Sequence, residues 1–259
     1  MVDALNIRPN VNDDLLISVQ ELKDWFLFGI DMRGDDGEPY PETMFEFYIR
    51  AAQNWLATEL PGIMLCDKLI EDTKDYYIND YVSFGALKLN WFPVTTVEEV
   101  SIQFPLATNV LKFDPSWYRC ESISGHVNLV PTQGTFSSII LSQGGSFLPL
   151  FYSGMQHLPF VWHIKYRAGF RKGEFPQSMK EIIGMKAAMG PLNIAGDLIA
   201  GAGIASKSIG LDGLSQSIST TASATNAGYG ARILQYNKEI KERMSAMKSH
   251  YCGMQMSIG

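Results

Sequence analysis

Cysteine, histidine and charge are all scarce in this chain, and each shortage removes a class of function. The three cysteines among 259 residues, Cys66, Cys120 and Cys252, lie far apart, are odd in number and form no CxxC pair. Neither a disulfide framework nor a thiolate metal site follows from that spacing. Reduced thiols in a cytoplasmic setting are expected, in keeping with a Met-Val-Asp-Ala start that reads as no secretory leader. The four histidines, His126, His157, His163 and His250, are scattered, with none at ligand distance in sequence from a cysteine or another histidine. No phosphate loop, dinucleotide-binding turn, nucleophile elbow or HExxH pair occurs. No cofactor, metal or catalytic residue is therefore assigned. Charged residues make up 19% of the chain, and 21 Lys and Arg stand against 27 Asp and Glu, a formal net charge of -6. That sign is opposite to a protein that grips nucleic acid through a broad basic face, since phosphate affinity comes from clustered Lys and Arg. A run of about 18 uncharged apolar residues is also missing, so no membrane span is expected.

Apolar residues reach 46%, enough for a folded core in a chain of this length. Ser18 with Glu21 three residues on forms a capping-box pattern, which predicts a first helix from about Val19 to Phe28, stopped by Gly29. The loop from Asp31 to Pro41 clusters Asp35, Asp36 and Glu38 but lacks the closing Glu of a calcium loop, and is read as a solvated turn. Glu42 to Leu60 is the strongest helix, with Phe45, Tyr48, Ile49, Ala52, Trp55 and Leu56 on one stripe.

From Met64 to Arg167 the period falls toward two. Short strands are expected at Tyr76 to Ile78, Ala86 to Trp91, Val97 to Phe104, Val110 to Phe113, Trp117 to Ile123, His126 to Val130, Phe136 to Leu141 and Trp162 to Arg167, with Ser124-Gly125 as a hairpin turn. Pro176 then opens a helix reaching about Ala202, which Pro191 is expected to kink or split near Met189. Its small residues Ala187, Ala188 and Gly190 suit the close approach of another backbone. Residues 206–230 contain only Lys207 and Asp212 as charges and read as an extended arm. The last helix, about Ala231 to Tyr251, carries a stripe of Ile233, Tyr236, Ile240, Met244, Met247 and Tyr251 that needs a partner surface, in this subunit or another. The fold class is therefore α+β: a helical core with a large inserted antiparallel β module and a C-terminal extended arm plus helix. Expected boundaries are 1–63 for the N-terminal helices, 64–170 for the β module, 171–203 for the core helix, 204–230 for the arm and 231–259 for the C-terminal helix.

Paired carboxylates give little chemistry. Glu98 and Glu99 are adjacent on a strand and point to opposite faces, while Glu71, Asp72 and Asp75, with Thr73 and Lys74, read as a solvated, turn-like stretch. Tyr166, Arg167, Phe170, Arg171 and Lys172 form the one basic and aromatic cluster, able to touch a phosphate or carboxylate, or to stand as a strand end with solvated charges.

The order of parts resembles a known family. The run Ser18-Val-Gln-Glu-Leu-Lys-Asp-Trp-Phe, the helix Phe45-Glu-Phe-Tyr-Ile-Arg-Ala-Ala-Gln-Asn-Trp-Leu, the segment Phe92-Pro-Val-Thr-Thr-Val-Glu-Glu-Val, and Tyr166-Arg-Ala-Gly-Phe with Pro176 opening a helix resemble the head-tail connector (adaptor or neck) proteins of tailed bacteriophages. Asp212-Gly-Leu-Ser-Gln-Ser is similar to a longer form of that family. The resemblance implies a non-enzymatic virion protein at the capsid-tail junction, assembled in the host cytoplasm as a dodecameric ring of identical subunits. Its implied partners are the portal protein, neighbouring copies and tail or neck proteins, with viral DNA passing through without sequence recognition and no membrane involved. The expected docking residues, toward the portal or a neighbouring subunit, are Ser208, Leu211, Leu214 and Ile218 of the arm and Ile233, Tyr236, Ile240, Met244 and Met247 of the terminal helix. Another tail or baseplate component and an enzyme with an unrecognised site are the alternatives.

Overall fold

The computed structural model describes residues 14–79, 86–103, 110–129, 156–200, 206–211, 214–219 and 229–252. The fold is α+β, and the chain divides into two compact units, one of residues 1–60 with 175–252 and one of 61–174 with 253–259.

The first unit is helical: α1 (Val19–Phe26), α2 (Glu42–Glu59), α3 (Gln177–Ala200) and α4 (Gly230–Cys252). The capping box at Ser18 forms as expected, with Glu21 N–H donating to Ser18 Oγ at 3.1 Å and Ser18 N–H donating to Glu21 Oε2 at 2.7 Å. α1 ends two residues earlier than its sequence pattern, because Leu27 caps it and Gly29 turns the chain at φ +75°. Gln53, 2% exposed, ties the segment before α1 to α2: its Oε1 accepts from Leu16 N–H at 3.0 Å and its Nε2 donates to the Asp14 carbonyl at 3.2 Å. A buried amide satisfied at both ends is a specific clasp rather than a penalty.

α3 is the axis of this unit. Met179, Ile182, Ile183, Ala187, Ala188 and Leu192 are all buried, and α1, α2 and α4 each pack on it. A helix buried on several sides needs apolar residues all round. Two glycines are slots for rings: a Cβ on Gly184 would fall 2.2 Å from the Phe26 ring, and one on Gly190 would fall 2.2 Å from the Tyr48 ring. The small residues therefore receive side chains of the same chain, not another subunit's backbone. Pro191 does not split the helix, which runs unbroken from 177 to 200. Three packed neighbours hold it helical where local propensity favours a break.

The second unit is built of strands. β1 (Lys68–Tyr77), β3 (Val94–Gln103), β4 (Val110–Lys112) and β7 (His157–Ala168) form an antiparallel sheet in the order β1-β7-β3-β4, while β2 (Ala86–Lys88), β5 (Tyr118–Glu121) and β6 (His126–Leu129) form a second sheet in the order β2-β6-β5. Ser124-Gly125 does lie in the β5–β6 turn, with Gly125 at φ +68°. The strand expected over 136–141 lies outside the described residues.

The main correction concerns β1. The stretch read as a solvated turn around Glu71, Asp72 and Asp75 is the middle of a ten-residue strand, paired with β7 from Lys68↔Ala168 to Tyr77↔His157. β7 supplies the alternation that β1 lacks: Trp162, Ile164, Tyr166 and Ala168 are buried on one face, and His163, Lys165 and Arg167 take the other. On the charged face Arg167 grips Asp67 at 2.8 and 3.0 Å, and Lys165 meets Glu71 at 3.2 Å. The strand charges of β1 are thus ladder partners of β7.

The position of α4 also decides how the C-terminal half can be dissected. Ile233, Ile240, Met244 and Met247 are 4–6% exposed within the helical unit, and four buried apolar side chains represent about 6–12 kcal/mol of transfer free energy as an upper figure. That is comparable to the whole stability of a domain. A chain cut after Gly203 is therefore expected to lose the cooperative unfolding of its helical unit, seen as a broadened or absent thermal transition in far-UV circular dichroism. Retention of the full-length midpoint would show that α4 contributes little to this core.

Candidate functional site

The expected docking residues separate into two groups. Those of α4 are occupied: Ile233, Ile240, Met244 and Met247 face α3 of their own chain, and the Tyr236 hydroxyl donates to the Phe26 carbonyl at 2.9 Å. Arg243 pairs with Glu181 of α3, and Lys248 with Glu59 of α2 at 2.6 Å. The stripe that lacked a partner in sequence finds one about fifty residues upstream. Within one chain Ile233, Ile240, Met244 and Met247 are thus core, with Tyr236 at its edge.

The other group, Ser208, Leu211, Leu214 and Ile218, lies on an antiparallel pair of strands, β8 (Ser206–Leu211) and β9 (Leu214–Ser219). Their register runs from Ser206↔Ser219 through Lys207↔Ile218, Ser208↔Ser217, Ile209↔Gln216 and Gly210↔Ser215 to Leu211↔Leu214. Ile209, Leu211, Leu214 and Ile218 thus share one parity with Lys207 and Gln216, and every position of the other parity, Ser208 included, is Ser or Gly. In a strand, parity defines a face. The arm expected from composition contains this strand pair, whose sequence alternates Ser or Gly with larger residues. Its signal was present as Asp212-Gly213, the dipeptide type that favours two-residue hairpin loops.

The strand unit contains a cleft of about 420 Å³ lined by Pro93 to Thr96, Cys120, Ser122, Gly169 to Arg171 and Glu174. Two of its hydroxyls serve the fold: Thr95 Oγ1 donates to the Gly169 carbonyl at 3.1 Å, and Ser122 Oγ to the Val94 carbonyl at 2.6 Å. Burial, helped by Glu121, pushes the Cys120 thiol up to about 11, so it is protonated at neutral pH and a poor nucleophile. Gly169 floors the cleft at φ +113°, where a Cβ would meet the Cys66 carbonyl oxygen at 2.1 Å. Among the described residues no group of three His, Cys, Asp or Glu is placed to hold a metal ion, and no helix is long and apolar enough to cross a membrane.

The basic and aromatic cluster is not a single surface. Tyr166 is fully buried and its hydroxyl donates to Asp72 Oδ2 at 2.6 Å while accepting from Trp91 N–H at 3.3 Å. Burial and the Asp72 charge push its phenol far above the ordinary range. Arg167 is spent on Asp67, leaving only Arg171 and Lys172 exposed.

One corner of the sheet stores strain. Phe160 has φ +54° with its ring 64% exposed, a costly conformation for a bulky residue. Asp75 holds it, with Oδ1 accepting from Phe160 N–H at 3.0 Å and Oδ2 at 3.1 Å from His157 Nε2, whose ring stacks on Tyr77.

No family model matches the chain, and no curated protein does. Among solved structures it is similar to a chain described as the neck of an empty GTA particle computed with C6 symmetry, at 15% identity and a TM-score of 0.40, covering 66% of this chain and 76% of that one. It is also similar to a chain from the virion of a native gene transfer agent (GTA) particle, at 14% identity and a TM-score of 0.39, with the same coverage. Overlap of this size leaves both fold and function to be argued from the chain itself.

Two outcomes follow for the Asp75 corner. The Phe160 N–H and His157 hold the Asp75 carboxyl below its ordinary value of 3.8, so its contribution to stability is full above that value and lost as pH falls through the lower folded one. The urea midpoint of wild type should fall more steeply than that of Asp75→Ala as pH drops from about 5 to 3; parallel curves would remove the linkage. Phe160→Gly should raise the thermal midpoint by relieving about 1 kcal/mol or more of backbone strain, read by calorimetry against wild type.

Proposed function

We propose that this chain is a structural protein of a tailed-phage-like particle, a head-tail connector whose copies form a ring that docks on the portal and links capsid to tail around a DNA channel. The observation that carries the proposal is the β8–β9 hairpin. A two-stranded hairpin with one apolar stripe is marginal in water by itself, and this one pairs only with itself among the described residues. A surface of that kind is completed by assembly.

Two further features support the same conclusion. In the cleft of the strand unit the Thr95 and Ser122 hydroxyls are committed to backbone carbonyls and the Cys120 thiol is protonated, so none of these three is an activated nucleophile. The net charge of -6 per copy, repeated around a ring, repels phosphate and lets a duplex pass without being held. The sequence resemblance to connector proteins agrees with both and supplies the dodecameric stoichiometry.

Mechanistically the protein is a bridge. Each hairpin contributes a modest contact, and repetition around a closed ring multiplies it through avidity. The docking set on this view is Ser208, Leu211, Leu214 and Ile218, with α4 holding the helical unit together.

The test is the mass of the purified protein in solution, alone and mixed with a portal protein, by light scattering. A large ring, or a monomer that becomes one on the portal, is expected, and replacing 206–219 by a Gly/Ser segment of equal length should abolish it while leaving the thermal midpoint within a few degrees. A wild-type monomer indifferent to every virion component would overturn the proposal.

A further inference from the structure

The helical unit exposes two partly apolar surfaces of opposite charge, one at the end of α1 and one along α4. We infer that they are a matched pair: the acidic, aromatic end of α1 in one copy receives the basic stripe of α4 from a second copy. The inference rests on the ring proposed above and names a contact between neighbouring copies within it.

Trp25, in the last turn of α1, and Phe28, just beyond it, are three residues apart and are 55% and 77% exposed. Large aromatics are enriched where proteins meet, and two held out to water side by side form more than scattered surface. Asp24 adjoins Trp25 in sequence, and Asp35, Asp36 and Glu38 follow in the next loop. All four carboxylates are exposed, and none enters an ion pair among the described residues. The cations nearest in sequence are already engaged, Lys23 with Glu42 at 3.9 Å and Arg33 with Asp31 at 3.1 Å.

On α4, Leu234, Lys238, Lys241 and Ser245 recur at spacings of four, three and four, so they share one face. All are exposed, Leu234 by 54%. Arg243 and Lys248 are spent on Glu181 and Glu59, but Lys238 and Lys241 enter no ion pair among the described residues. The two carboxylates of α4, Glu239 and Glu242, fall outside the stripe, each about 100° further round than the lysine before it.

The helix keeps the two surfaces apart within one copy. Tyr236 reaches the Phe26 carbonyl at 2.9 Å, and it stands about 200° round the helix from Leu234. The end of α1 therefore lies on the side of α4 away from the lysines. Between copies the surfaces complement each other: Leu234 meets the Trp25 and Phe28 rings, and Lys238 and Lys241 meet Asp24 and the loop carboxylates. That gives an apolar centre with charges that fix orientation and exclude like surfaces. Contact between two unlike surfaces is head-to-tail, and such contacts close into rings when the rotation allows.

The test uses the full-length protein under the conditions, alone or on a portal protein, at which the wild type assembles. A ring grown from equal parts of isotope-labelled and unlabelled copies is treated with a carbodiimide, which joins carboxylates directly to amines, and the links are mapped by mass spectrometry. Lys238 or Lys241 should be joined to Asp24 or to a carboxylate of the 35–38 loop in a copy of the other label. Two exposed double variants give the second readout, Asp24→Lys with Asp35→Lys, and Lys238→Glu with Lys241→Glu. Each should keep the wild-type thermal midpoint to within a few degrees, yet raise the concentration needed for assembly by about tenfold or more. An equimolar mixture of the two should recover assembly, because each then presents the charge that the other lacks. Links that map elsewhere, variants that assemble as the wild type does, or a mixture no better than its parts would overturn this inference and leave the connector proposal standing. A wild-type chain that never assembles would overturn both.

Discussion

The strand unit is organised by β7, which is hydrogen-bonded along both edges, to β1 on one side and β3 on the other. A strand in that position must bury one face and settle the charges of the other. Trp162, Ile164 and Tyr166 meet the first demand, each burying an area worth about 1.5–3 kcal/mol. Lys165 and Arg167 meet the second through Glu71 and Asp67. The Tyr166 hydroxyl then joins the two sheets, because it binds Asp72 on β1 and the Trp91 N–H beyond β2. A hydrogen bond to a carboxylate in a dry setting is among the stronger polar contacts, and here it fixes which residue of β1 lies opposite which residue of β7. Gly169 closes the arrangement, letting the chain leave β7 against the Cys66 carbonyl where any side chain would collide.

The helical unit has an equivalent axis in α3. Its glycines admit the Phe26 and Tyr48 rings, and Lys186 lies 5.0 Å from the centre of the Trp55 ring. α1, α2 and α4 all pack on it.

The candidate site was only partly legible. The arm was marked by its lack of charge, and Asp212-Gly213 carried the hairpin signal without being used, because a sparse Ser/Thr/Ala/Gly composition looks the same in a linker and in a strand pair. The α4 stripe is legible only as a stripe for a related reason: periodicity shows that it is buried, never against what. The basic cluster dissolved because neighbouring residues of a strand fall on opposite faces, so Tyr166 and Arg167 were never one surface.

The helices were legible because their information is local. Ser18 and Glu21 cap α1, the stripe from Phe45 to Leu56 defines α2, and α4 is found within about a residue of its pattern. Fold class followed from the switch between periods of 3.6 and two. β1 was not legible, since Glu71, Asp72, Lys74 and Asp75 break the alternation that marks a strand, and only the ladder and counter-charges of β7, about a hundred residues away, make those residues acceptable there. The unbroken course of α3 through Pro191 belongs to the same category, as three packed helices outweigh one missing N–H donor. The sequence alone determined where chain segments favour helix or strand, because capping, periodicity and turn chemistry act over a few residues. Tertiary structure alone decided which charged segment is a strand and which stripe is core, because those depend on partners that arrive from far along the chain.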